Sequence, residues 1–276
     1  MAAVHKRMRQ ALRVALNLPM LALILIPLLY TLSISLMPTD EIYKNVLIPS
    51  SLNLQNYVRA FTNPNYHFAR FIINSLVVSV CVTLGQMVTC SLAAFSFSFL
   101  EFKGKKFLFV LILSTMMVPG EATIIANYLT VSRLGWLDTY WVLVAPFLCS
   151  AMGIFLLRQY YLTFAKELHE ASKIDGCVNW QFLLWVVVPL SRPALGALGA
   201  YVFLNTWNQY MWPLLVTNST RYRTVQIGIS MLYDIDAEGM GLMMAGVIIV
   251  VVPSLAVFIF MQKQLINGLM AGAVKG

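Results

Sequence analysis

Few side chains in this chain of 276 residues could carry out chemistry, because 59% of the residues are hydrophobic and 11% are charged. The sequence has no glycine-rich loop ending in Lys and Ser or Thr, the element with which ATP-hydrolysing domains hold phosphate. His5, His67 and His169 lie outside the apolar runs, and Glu121 is the one acidic residue well inside a run. Secondary transporters often use intramembrane carboxylates or histidines as ion relays. We therefore expect no catalytic residue, no metal site and an energy source on a partner.

A cluster of amides and aromatic rings lies near the end of the fifth apolar run. Four of its members are predicted to line a solute pathway: Asn205, Asn208, Gln209 and Trp212. Amides are costly in hydrocarbon unless they are hydrogen-bonded. Beside aromatic rings they suit a polyol, since amides bond to hydroxyls while rings stack on C–H faces. The alternative is structural, because Trp and Tyr mark membrane interfaces and amides also join helices.

Glu121 follows Pro119 and Gly120 within the third apolar run, where we predict that the helix is kinked or unwound. Backbone groups that such a break frees tend to line cavities, which makes Glu121 the fifth predicted pathway residue. The alternative is a carboxylate at the outer boundary that pairs with an Arg or with a partner chain. No Lys or Arg falls in the middle of a run, which argues against a phosphorylated solute.

Six apolar runs approach or exceed the roughly 18–20 residues that cross hydrocarbon as a helix. They cover residues 16–37, 71–100, 107–129, 140–157, 194–216 and 241–261. The first has no clear small-residue cleavage site, so we interpret it as a retained anchor and not as a signal peptide. Residues 182–190 are apolar but too few to span, and we place them at the interface. The expected fold class is all-α, a polytopic membrane protein with six transmembrane helices.

The placement of Lys and Arg orients these spans. If the N-terminus is cytoplasmic, thirteen of the 19 basic residues fall in cytoplasmic segments, and the external ones are Lys44, Arg59, Arg70, Arg133, Arg221 and Arg223. This bias predicts two cytoplasmic termini. Residues 1–15 are then a basic leader, 16–262 a transmembrane domain with a cytoplasmic loop at 158–193, and 263–276 a tail. No contiguous basic face of the kind that binds nucleic acid is present, so lipid and not nucleic acid is the expected surrounding.

The cytoplasmic loop between spans four and five contains a short helix and a turn. Residues 166–173 are mostly polar and long enough for two helical turns. Gly176 suits a left-handed turn after the helix, and Pro189 marks a second break before the fifth span. A short helix bounded in this way on the cytoplasmic face has a shape suited to docking a partner.

This loop resembles the cytoplasmic loop of ATP-binding-cassette importer permeases, whose pattern is E-A-A, three residues, G, nine residues and I-x-L-P. The match here is Glu170-Ala171-Ser172, then Gly176, then Val186-Val187-Val188-Pro189 at the same spacing. Serine replaces the second alanine, and valines replace Ile and Leu. The resemblance implies that the helix is a coupling helix, which sits in a groove of the ATPase subunit and transmits its closure. The coupling residues it implies are Glu170, Ala171, Ser172, Asp175, Gly176 and Pro189.

The resemblance extends over nearly the whole chain. Residues 268–276 are similar to the tail of carbohydrate-type permeases, and residues 118–121, 157–161 and 208–215 are similar to the second permease subunit of glycerol-3-phosphate importers. The implied activity is import of a small polar solute, namely a sugar, an oligosaccharide or a compound like glycerol-3-phosphate. An ion-gradient-driven secondary transporter is the alternative, and it would require Glu121.

The resemblance also implies the partners and the location. A second homologous permease would complete the pathway, and an ATPase dimer would hold ATP and magnesium, so that this chain carries no cofactor. An extracytoplasmic solute-binding protein would dock on the loops at 38–69 and 218–239. The expected location is the prokaryotic inner membrane, crossed several times.

Overall fold

The computed structural model describes residues 2–44, 46–233 and 237–273, and the side chains of 17–44, 46–165, 167–233 and 239–262. The secondary structure of these residues is helical without strands, which confirms the all-α expectation. The helices are α1 (Ala2–Ser35), α2 (Gln55–Thr62), α3 (Phe68–Phe99), α4 (Lys105–Ser114), α5 (Gly120–Arg133), α6 (Tyr140–Val144), α7 (Ala151–Tyr161), α8 (Lys166–Ile174), α9 (Asn179–Phe182), α10 (Val188–Leu190), α11 (Arg192–Trp207), α12 (Met211–Val216), α13 (Val225–Met231) and α14 (Ala237–Ala273). Single 3₁₀ turns follow α4 and α6, and a π-helical turn, Leu183–Val187, joins α9 to α10.

Three helical segments in the described residues are long and apolar enough to cross a membrane unaided: Asn17–Ser35, Phe68–Phe99 and Gly239–Gln262. Three further candidates are helix pairs bent at a short break. The bends are 100° between Lys105–Met117 and Gly120–Arg133, 41° between Tyr140–Phe147 and Ala151–Tyr161, and 79° between Asn179–Leu190 and Arg192–Trp207. If each pair is one span, the described residues hold six. The polytopic membrane fold is thereby confirmed, while the orientation stays a prediction.

The break in the third span lies where the sequence predicts it. Val118 and Pro119 are extended, with φ/ψ of −87°/117° and −60°/132°, and α5 begins at Gly120. A residue that precedes proline is driven out of the helical region by the proline ring, so α4 and its 3₁₀ turn end at Met117. The 100° bend is the consequence.

The fifth span is not the continuous helix that residues 194–216 suggest. Helix α11 ends at Trp207, residues 208–210 are not helical, and α12 begins at Met211. Pro213 explains the restart, because proline lacks an N–H and is tolerated in the first turn of a helix but not in its interior. Residues 182–190, expected to be an isolated interfacial piece, instead belong to the helical segment Asn179–Leu190 that precedes α11.

The fourth span is interrupted at residues 148–150, and the freed backbone groups there bond to α3. The Gln86 Nε2 donates to the Phe147 carbonyl at 2.7 Å, and its Oε1 accepts from the Ser150 Oγ at 2.9 Å. The Thr89 hydroxyl donates to the Leu148 carbonyl. Within hydrocarbon such groups must find partners inside the protein, so this polar stripe of α3 stabilises the break.

The chain divides into two compact units. One comprises Met1–Phe68 and Gly228–Val252. In this unit the buried Asn56 of α2 donates to the Ser35 carbonyl at 3.1 Å, and the Ser35 hydroxyl bonds to the Tyr57 hydroxyl at 2.7 Å. These bonds fix the end of α1 against α2.

The other unit comprises Ala69–Ile227 and Pro253–Gly276. Its apolar core includes fully buried side chains of α3, α6, α7 and α11, among them Val82, Leu143, Leu157 and Leu198. All the predicted site residues belong to this unit.

Candidate functional site

Helix α8 and the turn after it have the geometry that the sequence predicts. Gly176 has a φ of +77°, in the left-handed region that glycine adopts without strain. Its N–H donates to the Lys173 carbonyl at 3.1 Å, and the Cys177 N–H donates to the Ser172 carbonyl at 2.9 Å. These two bonds form a Schellman motif, which caps the last carbonyls of a helix. Helix α8 therefore ends at a fixed point, and the chain turns out of the helix at Gly176.

The outward face of α8 is available to another molecule. Glu170, Ala171 and Asp175 are exposed, while Ser172 is half-buried and its hydroxyl donates to the His169 carbonyl at 2.8 Å. Ile174 is 87% exposed at the end of the helix, which is unusual for a large apolar side chain on a polar segment. Pro189 is half-buried within α10 and follows the π-helical turn.

The inward face of α8 is formed by His169, which the sequence placed only outside the spans. Its imidazole is 9% exposed and packs against two phenyl rings, with centroid distances of 5.3 Å to Phe99 and 4.8 Å to Phe182. Burial, together with the neighbouring Lys173 ammonium, lowers the pKa of His169 below the ordinary 6.5. The imidazole is therefore neutral at pH 7.

Glu121 lies in the first turn of α5, directly after the break in the third span. The residue is exposed, as are Met117 and Val118 before it. Within the described residues Glu121 has neither an ion pair nor a hydrogen bond to Asn205, Asn208 or Gln209.

The predicted amides and the tryptophan occupy two different environments. Asn205 and Asn208 are exposed and Gln209 is half-buried. The Asn205 Nδ2 donates to the Tyr201 carbonyl at 2.8 Å, and the Asn208 Oδ1 accepts from the Gln226 Nε2 at 3.3 Å. These amides keep further donors and acceptors that a hydroxylated solute could use.

Trp212 is buried instead. It is 5% exposed, and its indole N–H donates to the Val142 carbonyl at 2.9 Å. The ring also meets Phe147 edge-on, with centroids 6.1 Å apart. This position favours the packing alternative for Trp212, while the pathway role of the three amides stays a prediction.

Asp138 is a structural residue that sequence reasoning missed. It has a φ of +53°, and its Oδ1 accepts from the backbone N–H groups of Asn218 and Ser219 at 2.7 and 2.8 Å. Its own N–H donates to the Val216 carbonyl at 3.0 Å. The carboxylate thereby ties the loop after α5 to the loop after α12, both of which are predicted to be external. The only sequence signal was the Gly135 turn that precedes it.

A second set of bonds holds the same loop. The Asn74 Nδ2 donates to the carbonyls of Arg221 and Arg223 at 2.9 and 2.8 Å, while its Oδ1 accepts from the Tyr140 hydroxyl at 2.7 Å. The ring of Tyr140 also meets that of Tyr222 edge-on. The loop 217–224 is thus held by α3 and α6 of its own unit.

We expect Asp138→Ala to release this loop. Alanine removes the acceptor of two backbone N–H groups and is strained at a positive φ, whereas Asp138→Asn keeps one side-chain oxygen and tolerates that conformation. Hydrogen bonds to charged groups contribute about 1.5–3 kcal/mol, so amide exchange at Asn218 and Ser219 is expected to accelerate by about tenfold or more. Hydrogen–deuterium exchange measured by mass spectrometry on a peptide covering 217–224 provides the test. Unchanged exchange in the alanine variant would show that Asp138 does not hold the loop.

Comparison with known protein families matches residues 86–265 to the family described as binding-protein-dependent transport system inner membrane component. The matched region begins within α3 and includes α8, its turn and the amides Asn205, Asn208 and Gln209. Within the described residues no group of three or more His, Cys, Asp and Glu is placed to hold a metal.

Several characterised relatives align over almost their full length. The chain is 32% identical to the arabinooligosaccharides transport system permease protein AraQ of Bacillus subtilis, over 99% of both chains. It is 33% identical to the sn-glycerol-3-phosphate transport system permease protein UgpE of Rhizobium meliloti, over 90% of this chain and 91% of that protein. The trehalose/maltose transport system permease protein MalG of Thermococcus litoralis is 31% identical over 91% and 92%.

A solved structure has the same fold. It is a chain of a bacterial ABC transporter involved in the import of the acidic polysaccharide alginate, with a TM-score of 0.85 and 20% identity, and the match covers 94% of this chain and 97% of that one. The family match and the named relatives indicate the same family, and the fold and the motif in α8 are consistent with it. The chain belongs to the family of binding-protein-dependent transport system inner membrane components.

Proposed function

We propose that this chain is one permease subunit of an ATP-driven importer and that it passes a small polar solute across the inner membrane. The observation that carries the proposal is the geometry of α8. The helix ends in a Schellman turn at Gly176, where the importer motif requires glycine, and it exposes Glu170, Ala171 and Asp175. A short, capped and outward-facing helix is what a groove on an ATPase subunit would receive. ATP and magnesium would be bound by that partner.

The pathway residues favour a neutral sugar or oligosaccharide as the solute. Asn205, Asn208 and Gln209 offer amide donors and acceptors that match hydroxyl groups. Glu121 adds an exposed carboxylate, which can accept from hydroxyls but repels a phosphate. The relatives carry names for both solute classes, arabino-oligosaccharides and glycerol-3-phosphate, at nearly equal identity. A phosphorylated solute would need a cation from another subunit.

The external partners follow from the predicted orientation, in which both termini are cytoplasmic. The loop 217–224 is fixed by Asp138 and Asn74, and it would be part of the surface that receives a solute-binding protein. A chain of a second solved structure with this fold, at 18% identity and a TM-score of 0.66, comes from a bacterial alginate ABC transporter in complex with an oligosaccharide-bound periplasmic protein. A second homologous permease would complete the pathway.

The test of the solute is ATP hydrolysis by the complex reconstituted with its partner subunits and its solute-binding protein. The binding protein is loaded with arabinotriose, with maltose or with sn-glycerol-3-phosphate in separate assays. Stimulation by a neutral sugar alone supports the proposed pathway. Stimulation by glycerol-3-phosphate alone reassigns the solute and directs attention to cations of the second permease. Uptake that survives ATP depletion and depends on a proton or sodium gradient contradicts the importer mechanism altogether.

Reversing the charge of Glu170 tests the docking role of α8. Glu170 is exposed, so Glu170→Arg leaves the fold of this chain intact. Losing a hydrogen-bonded charge partner at an interface costs about 2–5 kcal/mol, and we therefore expect hydrolysis stimulated by the loaded binding protein to fall by about 30-fold or more. Lys103→Glu is the matched control, because it reverses an exposed charge in another predicted cytoplasmic loop. Equal stimulation in Glu170→Arg and wild type would remove α8 as the docking element.

A further inference from the structure

Helix α8 contacts the rest of its unit through one buried side chain. Among the residues of α8 whose side chains are described, His169 is buried and Ser172 is half-buried, while the others are exposed. Leu168, the other large apolar candidate next to it, is 38% exposed. Besides the covalent connections at its two ends, His169 is therefore the one described side chain of α8 that is buried against the rest of the unit.

The contacts of His169 lie at the ends of two different spans. Phe99 is the last residue of α3, and Phe182 is the last residue of α9, in the segment that leads into α11. The two phenyl rings also contact each other edge-on at 5.3 Å, and Phe95 extends the cluster one helical turn further along α3. The imidazole is the third ring of this cluster and packs against both phenyl rings, so a displacement of α8 acts on Phe99 and Phe182 directly. Interiors packed in this way transmit displacement and deform little.

The packing of the imidazole against the two phenyl rings depends on its charge. The polar groups near it are Lys173 and Glu170 on its own helix and the Asn179 side chain of α9, which hydrogen-bonds to the imidazole. Phe99 and Phe182 supply no acceptor, and the imidazole Nε2 is buried without a hydrogen-bond partner among the described residues. A proton on both ring nitrogens would leave a charged N–H without an acceptor in a buried site, which is unfavourable and pushes the ring toward water.

We propose that His169 is the positioning residue that transmits movement of α8 to the spans, and that it does so as the neutral imidazole. The inference rests on the proposed docking role of α8. When the imidazole is protonated, it moves away from the phenyl rings, and ATP hydrolysis no longer drives transport. The histidine makes coupling in this transporter sensitive to acidification of the cytoplasm.

Two substitutions separate packing from titration. His169→Phe keeps an aromatic ring that cannot be protonated, and His169→Ala removes the ring. The complete complex is assayed in liposomes between pH 5.5 and 8 for the ratio of stimulated to basal hydrolysis, with binding protein loaded with arabinotriose or with sn-glycerol-3-phosphate. Leu162→Ala, an exposed position outside the ring cluster, is the control.

The wild-type ratio is expected to be constant above pH 6.5 and to fall below it, because the proton binds only below the ordinary imidazole range. His169→Phe is expected to keep the neutral-pH ratio within about twofold and to lose the acid decline. His169→Ala is expected to lower the ratio about tenfold at every pH, since its lost ring contacts amount to roughly a factor of ten in equilibrium.

Each other outcome overturns the proposal. A normal ratio of stimulated to basal hydrolysis in His169→Ala shows that α8 acts without the imidazole ring. A defect in His169→Phe as deep as that in His169→Ala shows that ring packing does not transmit the movement of α8. If His169→Ala does not assemble, an acid decline that persists in His169→Phe decides against the proposal. Glu170→Arg distinguishes the two levels. If it uncouples while His169→Ala does not, the docking role stands and this inference fails, whereas if neither uncouples, the docking role fails.

Discussion

Replacing Gly176 by proline is expected to abolish stimulated ATP hydrolysis while leaving the membrane spans folded. Gly176 has a φ of +77°, which the proline ring cannot adopt, and its N–H caps the Lys173 carbonyl. Both losses fall on the turn that ends α8, and an isolated helix of nine residues has little stability of its own. A cost of about 3 kcal/mol reduces the docking-competent population by about 100-fold. Hydrolysis by the reconstituted complex with loaded binding protein is the measurement.

Gly176→Asn is the matched variant for this position. Asparagine enters the left-handed region more readily than other residues with a side chain, and it retains the backbone N–H. We expect its stimulated rate to stay within about fivefold of wild type. A Cβ at position 176 meets no neighbour within 4 Å, so it makes no clash within this chain. If Gly176→Pro assembles normally and still responds to loaded binding protein, the turn has no part in coupling.

The features that the sequence predicts correctly are those decided by short stretches of chain. Hydropathy places the apolar runs, Pro119 ends the helix before it, and the turn at Gly176 needs only the residues of α8 and the glycine. Each depends on a local property, namely transfer of side chains to lipid, proline geometry or the left-handed backbone. The family motif rests on the same local pattern.

The features that the sequence does not predict depend on partners distant along the chain. The interruption at residues 148–150 is stabilised by Gln86, about 60 residues earlier. Pro146 in the fourth run is a local signal of a break, but it does not indicate the partner in α3. The π-helical turn before α11 is likewise a matter of packing. The fifth run is predicted as one helix because hydropathy does not register Pro213, which lies in the first turn of the new helix α12.

The candidate site divides in the same way. The predicted coupling residues follow from the motif, but the burial of His169 against Phe99 and Phe182 requires the tertiary structure. Trp212 and the nearby amides look alike in the sequence, since both are polar groups at the end of a span. Only the bond from its indole to the Val142 carbonyl separates Trp212 from the amides as a packing residue.

Gly153→Val is expected to disrupt the bundle where three spans meet. A Cβ at this position of α7 would lie 2.8 Å from the Cys90 Sγ of α3, 2.9 Å from the Ser150 Oγ and 3.2 Å from the Leu198 Cδ1 of α11. The Ser150 hydroxyl cannot turn away without loss, because it accepts the Gly153 N–H and donates to Gln86. Overpacking of this kind costs about 1–3 kcal/mol or more, and a loss of 3 kcal/mol corresponds to a fall in Tm of about 6 °C or more.

Thermal unfolding of the protein purified in detergent measures this effect, with Gly120→Val as the control, since a Cβ at Gly120 meets nothing within 4 Å. Gly153→Ala combined with Cys90→Ala adds a double-mutant cycle. Removing the Cys90 sulfur relieves the closest contact, so the pair is expected to be more stable than the sum of the two single losses predicts. A Gly153→Val protein as stable as Gly120→Val would mean that α3, α7 and α11 are farther apart in the membrane than described here. The bonds from Gln86 that bridge the break in the fourth span would then be lost as well, because they require the same close approach.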